Sequence, residues 1–538
     1  MNSQVKPSVI IVGGGVAGIS TAIELLDHNI PTLLLDRDVE ANFGGLAATA
    51  FGGMCLAGTP EQSKMGIKDS PEILLKDWHS FAEFDESPED KHHWPKKWAE
   101  YYAHNATKDV YEWVKKQGVK FFPAVNWVER GLYKAGNSLP RYHIMWGTGQ
   151  YLINRLINTL NTHPIKDKFT ALFQHNVENI QLSDGEHSIS GINETNGESF
   201  NYQAEHLIAA TGGIGGNLQK VRDNWSVNKN APKELLNGSH QYADGKIHDV
   251  LAEQNANVTH LDQMWNYAAG IPHPEPKKPE HGLSLIPCKS ALWMDHTGQR
   301  IGPEPLVTGF DTHEICKRIA DLDVTYTWQV LNWKIASKEL AISGAEHNQM
   351  IRDRKLFTFL KEALLGNHRL VKQITSESDH FVVANTLDEL VEKMNQVPDT
   401  IAVDPEVLKA EVNAYDEMLK RGKGLENDDQ VRRINHARQW RSDKVRTCKP
   451  SPITNDKHGP LIAIKLRIIS RKSMGGIQTN LDSQVLDTQQ QPIKGLYAVG
   501  ECAGFGGGGA SGLRSLEGTF ISGCILTGRK AAKAIAQK

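Results

Sequence analysis

The fold of this chain is decided by the stretch Val9-Ile10-Ile11-Val12-Gly13-Gly14-Gly15-Val16-Ala17-Gly18. Four apolar residues precede a Gly-x-Gly-x-x-Gly turn, and a helical pattern follows from Ala17 to Leu26. A second apolar run, Thr32 to Leu35, then ends at Asp36. This order predicts a strand, a tight turn, a helix and a second strand parallel to the first.

The three glycines of the turn have separate tasks in a dinucleotide site. Gly13 permits the tight turn, Gly15 lets the backbone approach a pyrophosphate, and Gly18 allows close packing of the helix. Asp36 follows Gly18 by 18 positions, close to the spacing at which a carboxylate binds a ribose diol. The start of the helix would face the phosphate charge. The sequence therefore predicts a bound dinucleotide.

Composition excludes several other classes of protein. The 538 residues carry a formal net charge of -3 and no long basic run, which disfavours nucleic-acid binding. No apolar run reaches the roughly 18 residues of a membrane span, so no integral membrane segment is expected. The six cysteines form no Cys-x-x-Cys pair, so no metal site is predicted. They are typical of free thiols in a cytoplasmic protein.

Later glycine motifs distinguish FAD from a nicotinamide cofactor. Gly44-Gly45 follows Asp36 closely, Ala210-Thr211-Gly212-Gly213 closes a later apolar run, and Gly495 to Glu501 leads into the glycines 506–509. Glycine is needed wherever backbone must approach a pyrophosphate or a flat ring. A second Gly-x-Gly-x-x-Gly motif after a strand is missing, so no built-in nicotinamide domain is expected. The electron donor or acceptor is not specified by the sequence.

These motifs, in this order, resemble the flavoprotein family of fumarate reductase, succinate dehydrogenase, aspartate oxidase and 3-ketosteroid dehydrogenases. The resemblance covers nearly the whole chain. It implies an α/β fold with a Rossmann-like, glutathione-reductase-type FAD-binding domain and an inserted α+β capping domain. The expected boundaries are 1–216 and 451–538 for the two parts of the FAD-binding domain and 217–450 for the capping domain.

The motifs and the resemblance together assign a set of residues to the FAD. In such proteins the residue matching Glu501 lies against the ribityl chain. The terminal helix, expected to begin near Gly518-Thr519, would place its positive end near the flavin. The residues expected to bind the cofactor are Gly13, Gly14, Gly15, Val16, Ala17, Gly18, Asp36, Arg37, Gly44, Gly45, Leu46, Gly52, Gly53, Val177, Ala210, Thr211, Gly212, Gly213, Gly500, Glu501, Gly512, Leu516, Gly518 and Thr519.

The resemblance also bears on how the FAD is held. Succinate dehydrogenases carry covalent FAD on a histidine near the second glycine pair, and Leu46 stands at the matching position. We therefore expect non-covalent FAD.

Two cationic residues are candidates for the substrate side. Lys472, in Arg471 to Gly476, stands where fumarate reductases have a substrate-binding histidine, although a solvated surface lysine is an equal alternative. Arg514 lies one position away from the family's carboxylate-binding arginine, which Ser515 replaces. Glu517 replaces a glycine, and a helix N-terminal acid is the favoured interpretation over a site residue.

The dicarboxylate chemistry of fumarate reductases is incomplete in this sequence. The family's capping-domain acid arginine is missing from Gly309-Phe310-Asp311, and Met264 to Tyr267 stands about where the family has His-Pro-Thr. A bulkier, less charged substrate is therefore expected, such as an enone or a steroid-like ketone. Tyr267 is a candidate for proton transfer by its residue type, although a core role for Trp265 and Tyr267 is favoured.

Three functions follow from these observations. The first is an FAD-dependent oxidoreductase that acts on a C-C bond next to a carbonyl of a small organic substrate, by hydride transfer with flavin N5. The second is a flavin oxidase of amines or amino acids. The third is a non-catalytic flavin-binding redox sensor, for which the missing arginine is the main support.

Overall fold

The computed structural model describes residues 6–226, 231–422 and 424–537. Its first sheet, the cofactor sheet, is built around the strand Val9–Val12, which is buried along its whole length. That strand pairs in parallel with Thr32–Leu35 on one side and His206–Ala209 on the other. In spatial order the strands of the cofactor sheet are Gln484–Leu486, Pro492–Ala498, His206–Ala209, Val9–Val12, Thr32–Leu35 and Phe169–Leu172.

Two helices cover one face of the cofactor sheet and pack against each other. Val16–Asp27 directly follows the glycine turn, and Thr519–Ala536 is the terminal helix. Both were predicted from the sequence. A Cβ on Gly528 would lie 2.7 Å from the Ala17 carbonyl oxygen, so glycine permits the close approach of the two helices. Other helices of this part are Leu46–Thr49, Pro60–Lys64, Pro71–Ala82, His93–Ala106, Trp113–Lys116, Thr148–Thr162 and Lys246–Ala252.

Smaller sheets complete this part of the molecule. Gly53–Cys55, Tyr142–Met145 and Phe121–Asn126 form an antiparallel sheet beside the terminal helix. The strands of a second antiparallel sheet are His175–Gln181, His187–Asn193 and Ser199–Ala204, and Val258–Thr259 pairs with Gly476–Ile477.

A second large sheet, the cap sheet, has the long strand Leu461–Ser473 at its centre. This strand pairs with Met264–Pro272 on one side and Thr327–Asn332 on the other, both antiparallel. The further strands are Leu236–Asn237, Gly282–Ile286, Leu292–Met294, Ala341–Ile342 and Phe381–Ala384. Its helices are Leu218–Asp223, Thr312–Ala320, Trp333–Glu339, Gln349–Arg352, Leu356–Leu365, His368–Glu377, Leu387–Gln396, Pro405–Lys420, Asp429–Ala437 and Arg441–Arg446.

The cap sheet crosses the boundary drawn at residue 450 from the sequence. Leu461–Ser473, assigned there to the FAD-binding part, hydrogen-bonds to strands of the middle segment and to none of the cofactor-sheet strands among the described residues. Its continuous apolar run indicates a buried strand, but two buried sheets were available to receive it. Which of the two sheets the strand joins depends on pairing between segments that are distant in sequence. An apolar run carries no information about that pairing.

None of the helices within residues 6–226, 231–422 and 424–537 is long and apolar enough to cross a membrane.

Candidate active site

A long cavity begins at the glycine turn and runs toward the terminal helix. Every residue predicted to bind the cofactor lines this first cavity except Gly18, Gly213, Gly500, Gly512, Leu516 and Thr519. The turn fits a pyrophosphate, because a Cβ on Gly15 would meet no atom within 4 Å and would point into open space. A Cβ on Gly13, by contrast, would lie 2.4 Å from the Ala210 carbonyl oxygen. Gly13 therefore serves strand packing, and Gly15 leaves room for a ligand.

Four of the predicted glycines lie behind the cavity wall rather than on it. A Cβ on Gly18 would lie 2.1 Å from the Gly13 carbonyl oxygen, and one on Gly213 would lie 2.7 Å from Glu501 Oε1. Gly500 and Gly512 make similarly close contacts with Ala17 and Ala82. Glycine at these four positions allows chain segments to pack closely. From the sequence alone, a glycine needed for packing looks the same as a glycine that contacts a ligand.

Leu516 and Thr519 also lie behind the cavity wall. Leu516 is buried among apolar side chains of the FAD-binding part. The Thr519 hydroxyl lies 2.9 Å from the Ser515 hydroxyl and is buried. Both residues therefore fix the start of the terminal helix.

Asp36 holds the glycine turn in place. Its Oδ2 accepts a hydrogen bond from the Gly14 amide at 2.5 Å, and its Oδ1 accepts one from the Asp38 amide at 2.7 Å. Burial raises the pKa of Asp36, and these two hydrogen bonds oppose the rise. Each carboxylate oxygen keeps a second lone pair for a ribose hydroxyl. Asp36 can therefore bind a ribose, as predicted, while it also holds the glycine turn in place.

The segment Ser239 to Ile247 lines the same end of the cavity, and sequence reasoning missed it. His240 Nε2 lies 3.1 Å from Asp38 Oδ2. The guanidinium of Arg37 lies over the Tyr242 ring, 4.5 Å from its centre. No motif marks this segment, and it reaches the cavity only through long-range contacts.

Glu501 occupies the middle of the cavity wall, as the family resemblance implies for a ribityl contact. Its Oε1 accepts a hydrogen bond from the Ser473 amide at 2.9 Å. Burial raises the pKa of Glu501 to about 7, and the Ser473 hydrogen bond opposes the rise. Within the described ranges Oε2 has no protein partner, which leaves it free to accept a hydroxyl.

A second cavity meets the first at a junction of five shared residues, Phe51, Tyr142, Tyr267, Ser343 and Glu517. Beyond the junction its walls are mainly apolar and include Leu285 and Trp293. A flavin at the end of the first cavity would face a substrate in the second, which is the arrangement that hydride transfer needs.

Glu517 is the charged centre of the junction. Its Oε2 accepts hydrogen bonds from Trp265 Nε1 and from the Tyr267 hydroxyl, both at 2.8 Å. Glu517 immediately precedes Gly518, where the terminal helix begins. The sequence favoured a helix N-terminal acid for Glu517 and a core role for Tyr267. The structure instead places both residues on the walls of the two cavities.

Lys472 lines the first cavity beside the junction, so it is not a surface lysine. Its Nζ lies 3.4 Å from the Tyr267 hydroxyl and 4.1 Å from the centre of the Phe520 ring. Burial lowers the pKa of Lys472 to about 8, while the charge of Glu517 opposes the decrease. The fold therefore brings together Lys472 and Tyr267, which were both predicted as candidates for the substrate side.

Arg514 is not brought to the junction. Its Nε donates to Asp311 Oδ2 at 2.9 Å, and its Nη1 forms an ion pair with Glu83. It is buried and is not among the described residues that line either cavity. A buried arginine shared by two carboxylates is typical of a structural link, here between the two parts of the molecule.

Gly15 provides a direct test of the cofactor cavity. In G15V the new side chain would project into the open space, and the backbone at residue 15 (φ -71°, ψ 179°) accepts any residue. We expect G15V to fold with an unchanged circular dichroism spectrum but to be purified without flavin absorbance.

The matched control for this test is G185V, because Gly185 also has no atom within 4 Å of an added Cβ but lies outside the cavity. It should retain the flavin. Full flavin content in G15V would show that the dinucleotide lies elsewhere.

Comparison with known proteins agrees with this geometry. Residues 8–521 match the family model described as "FAD binding domain". A "KsdD-like steroid dehydrogenase" of Mycobacterium tuberculosis is 41% identical over 551 residues, covering 98% of this chain and 95% of that protein. One of Mycolicibacterium smegmatis is 38% identical over 537 residues, covering 95% and 96%.

Solved structures share the fold. The 3-ketosteroid delta1-dehydrogenase from Sterolibacterium denitrificans has a TM-score of 0.68 at 14% identity, with 99% of both chains covered. A flavocytochrome c3 fumarate reductase has a TM-score of 0.67 at 19% identity, covering 100% of this chain and 79% of that one. The chain belongs to the FAD-binding domain family, as one of its FAD-dependent dehydrogenases and reductases that act on a carbon–carbon bond next to a carbonyl.

Proposed function

We propose that this protein is a dehydrogenase that introduces a double bond next to the carbonyl of a steroid-like ketone. The observation that carries the proposal is the Tyr267–Glu517 pair, placed where the cofactor cavity opens into an apolar second cavity. The names of the mycobacterial relatives support the substrate class.

The proton is handled by two residues in series. Burial raises the pKa of Tyr267 well above its ordinary value, with the charge of Glu517 adding to the rise, so its hydroxyl stays protonated. As the substrate C–H bond next to the carbonyl breaks, the proton passes to the Tyr267 oxygen. The proton of Tyr267 moves along the 2.8 Å hydrogen bond to Glu517 Oε2. Bound FAD supplies the acceptor for the hydride from the neighbouring carbon.

We assign to Tyr142 the role of polarising the carbonyl. It lines both cavities, and its hydroxyl has no hydrogen-bond partner among the described residues. Burial raises the pKa of Tyr142, with Glu517 contributing, so the hydroxyl remains a donor. A donor at the carbonyl oxygen stabilises the negative charge that develops there when the neighbouring proton leaves. In the direction of reduction the same residues act in the reverse order.

We further propose that the FAD is bound non-covalently and that the protein lies in the cytoplasm. Leu46 lines the cofactor cavity and cannot form the bond that a histidine makes, which supports non-covalent FAD. The six cysteines are all free thiols, which supports a reducing compartment such as the cytoplasm.

Acid precipitation tests the mode of cofactor attachment. We expect yellow holoprotein treated with acid to release all of its FAD into the supernatant, because no side chain forms a covalent link. Flavin absorbance that stays with the washed, redissolved protein would contradict non-covalent binding. L46H serves as a comparison, because it introduces at position 46 the residue type that carries covalent FAD in succinate dehydrogenases.

Anaerobic reduction tests the reaction and the role of Tyr267 together. We expect either the enone 4-androstene-3,17-dione or a ketosteroid with a fully saturated ring to bleach the bound flavin, whereas succinate does not. In Y267F the bleaching rate should fall by about 10² to 10⁴, since the proton relay is lost, with flavin content unchanged.

The matched control for Y267F is Y202F, which removes a hydroxyl from the remote strand Ser199–Ala204 and should bleach at the wild-type rate. Bleaching by succinate but by no ketone would overturn the substrate class. A wild-type rate in Y267F would remove that residue from the mechanism. Peroxide formation during turnover in air would favour the oxidase alternative.

The pH dependence of turnover tests Lys472. Its ammonium group, 3.4 Å from the Tyr267 oxygen, stabilises negative charge on that oxygen during the relay. Because the pKa of Lys472 is lowered to about 8, we expect the rate to fall as the pH rises through about 8.

In K472M that decrease should disappear, and the rate below pH 8 should be about 10²-fold lower. K372M, at an exposed lysine of the helix His368–Glu377, should keep the wild-type profile. An unchanged alkaline limb in K472M would assign it to another group.

A further inference from the structure

The second cavity contains charged groups that the proposed reaction does not use. Its described lining includes the cations Lys289 and Arg446 and the carboxyl groups of Glu129, Glu339, Asp443 and Glu517. Only Glu517 belongs to the junction with the cofactor cavity. The remaining charges therefore line the second cavity outside that junction.

Each of the acids away from the junction is compensated by the protein. The Glu339 oxygens accept hydrogen bonds from the Ser290 amide at 2.9 Å, the Ser290 hydroxyl at 2.7 Å and the Cys448 amide at 2.6 Å. Asp443 forms an ion pair with Arg130.

Glu129 is the third of these acids. It accepts a hydrogen bond from the Thr312 amide at 3.0 Å and another from the Thr312 hydroxyl. Burial raises the pKa of Glu129 to about 8, so at neutral pH it is mostly uncharged. The acids away from the junction thus need no cationic ligand group.

The two cations are not compensated in the same way. Neither Lys289 Nζ nor the Arg446 guanidinium has a hydrogen bond or an ion pair with any residue in the described part of the chain. Asp443 is the charge that attracts Arg446 electrostatically, but its carboxylate is bound by Arg130. Arg446 is exposed and Lys289 is half-buried, so both charges reach solvent and stay available to a ligand that supplies an acceptor.

The two cations are held near each other by Glu339. Its carboxylate binds the amides of both Ser290 and Cys448, which ties together the chain segments that carry Lys289 and Arg446. Arg446 is the last residue of the helix Arg441–Arg446 and lies two positions before Cys448. Both cations therefore occupy neighbouring parts of one cavity wall.

We propose that the substrate carries a carboxylate, which Lys289 and Arg446 bind at the part of the second cavity away from the flavin. This inference rests on the proposed function, since it assumes that the second cavity holds the substrate. The apolar wall, including Leu285 and Trp293, accommodates the ring system. The two cations supply a point charge and a planar pair of donors, a combination that suits a carboxylate.

A matched pair of ligands separates charge from shape. The probes are 3-oxo-4-androstene-17β-carboxylate and its methyl ester, which differ at the far end of the molecule in the negative charge and in one added methyl group. We expect holoprotein to bind the acid at least about tenfold more tightly than the ester, as measured by calorimetry or by the change in flavin absorbance. The preference should decrease with added salt.

Substitutions test whether Lys289 and Arg446 cause the preference for the acid over the ester. K289Q and R446Q should each reduce the acid-to-ester affinity ratio by about tenfold, because each removes a charged donor. K444Q provides the control, since Lys444 lies on the same helix as Arg446 but outside the lining of the second cavity. It should retain the wild-type ratio.

Several results would overturn the inference. Equal affinity for acid and ester in the wild-type protein would do so, as would an unchanged ratio in both K289Q and R446Q. Because these readouts measure binding, they remain decisive even if neither ligand is turned over. Reduction by the ester without any preference for the acid would retain the proposed dehydrogenase and remove only the carboxylate site.

Discussion

The hydrogen bonds that Glu517 accepts from Trp265 and Tyr267 join the two halves of this molecule at the junction of the two cavities. Trp265 and Tyr267 belong to a strand of the cap sheet, whereas Glu517 leads into the terminal helix of the FAD-binding part. A carboxylate in such an enclosed site is stable only when donors satisfy it. Packing of the cap and assembly of the proposed proton relay therefore depend on the same contacts, and a displaced cap would remove the hydrogen bonds that Trp265 and Tyr267 donate to Glu517.

The central strand of the cap sheet, Leu461–Ser473, also connects the two halves of the molecule, because its successive side chains point to opposite faces. Lys472 points to the junction beside Tyr267, while the next residue, Ser473, points the other way. The Ser473 amide binds Glu501, and its hydroxyl accepts from the Ile214 amide at 2.7 Å. One strand end thus fixes both the Lys472 ammonium group and the Glu501 carboxylate on the wall of the first cavity. A shift of this strand by one residue would exchange the two faces and remove both functions.

The cofactor part could be predicted from the sequence because its signals are local. The turn at Gly13 to Gly18 and the strand Thr32–Leu35 lie within a single unit whose spacing is fixed by the backbone and the ligand. The terminal helix Thr519–Ala536 was predicted by its own periodicity. The glycines were a less certain guide to ligand contact, because Gly18 and Gly213 are required for packing. Among the glycines predicted to bind the cofactor, only Gly15 leaves open space at an added Cβ. The pattern marks close approach of backbone without indicating what approaches it.

The substrate side could not be predicted because its residues meet only through the tertiary structure. Tyr267 and Glu517 are 250 positions apart, and each has a common structural explanation when considered by itself. Arg514, a candidate that came from the family resemblance, is neutralised by Asp311 and Glu83, whereas Arg446 has no such partner in the described chain. What distinguishes a ligand-binding cation from a structural one is whether the protein already compensates its charge. That property belongs to the folded surroundings, so residue type and spacing alone could not have ranked Arg446 above Arg514.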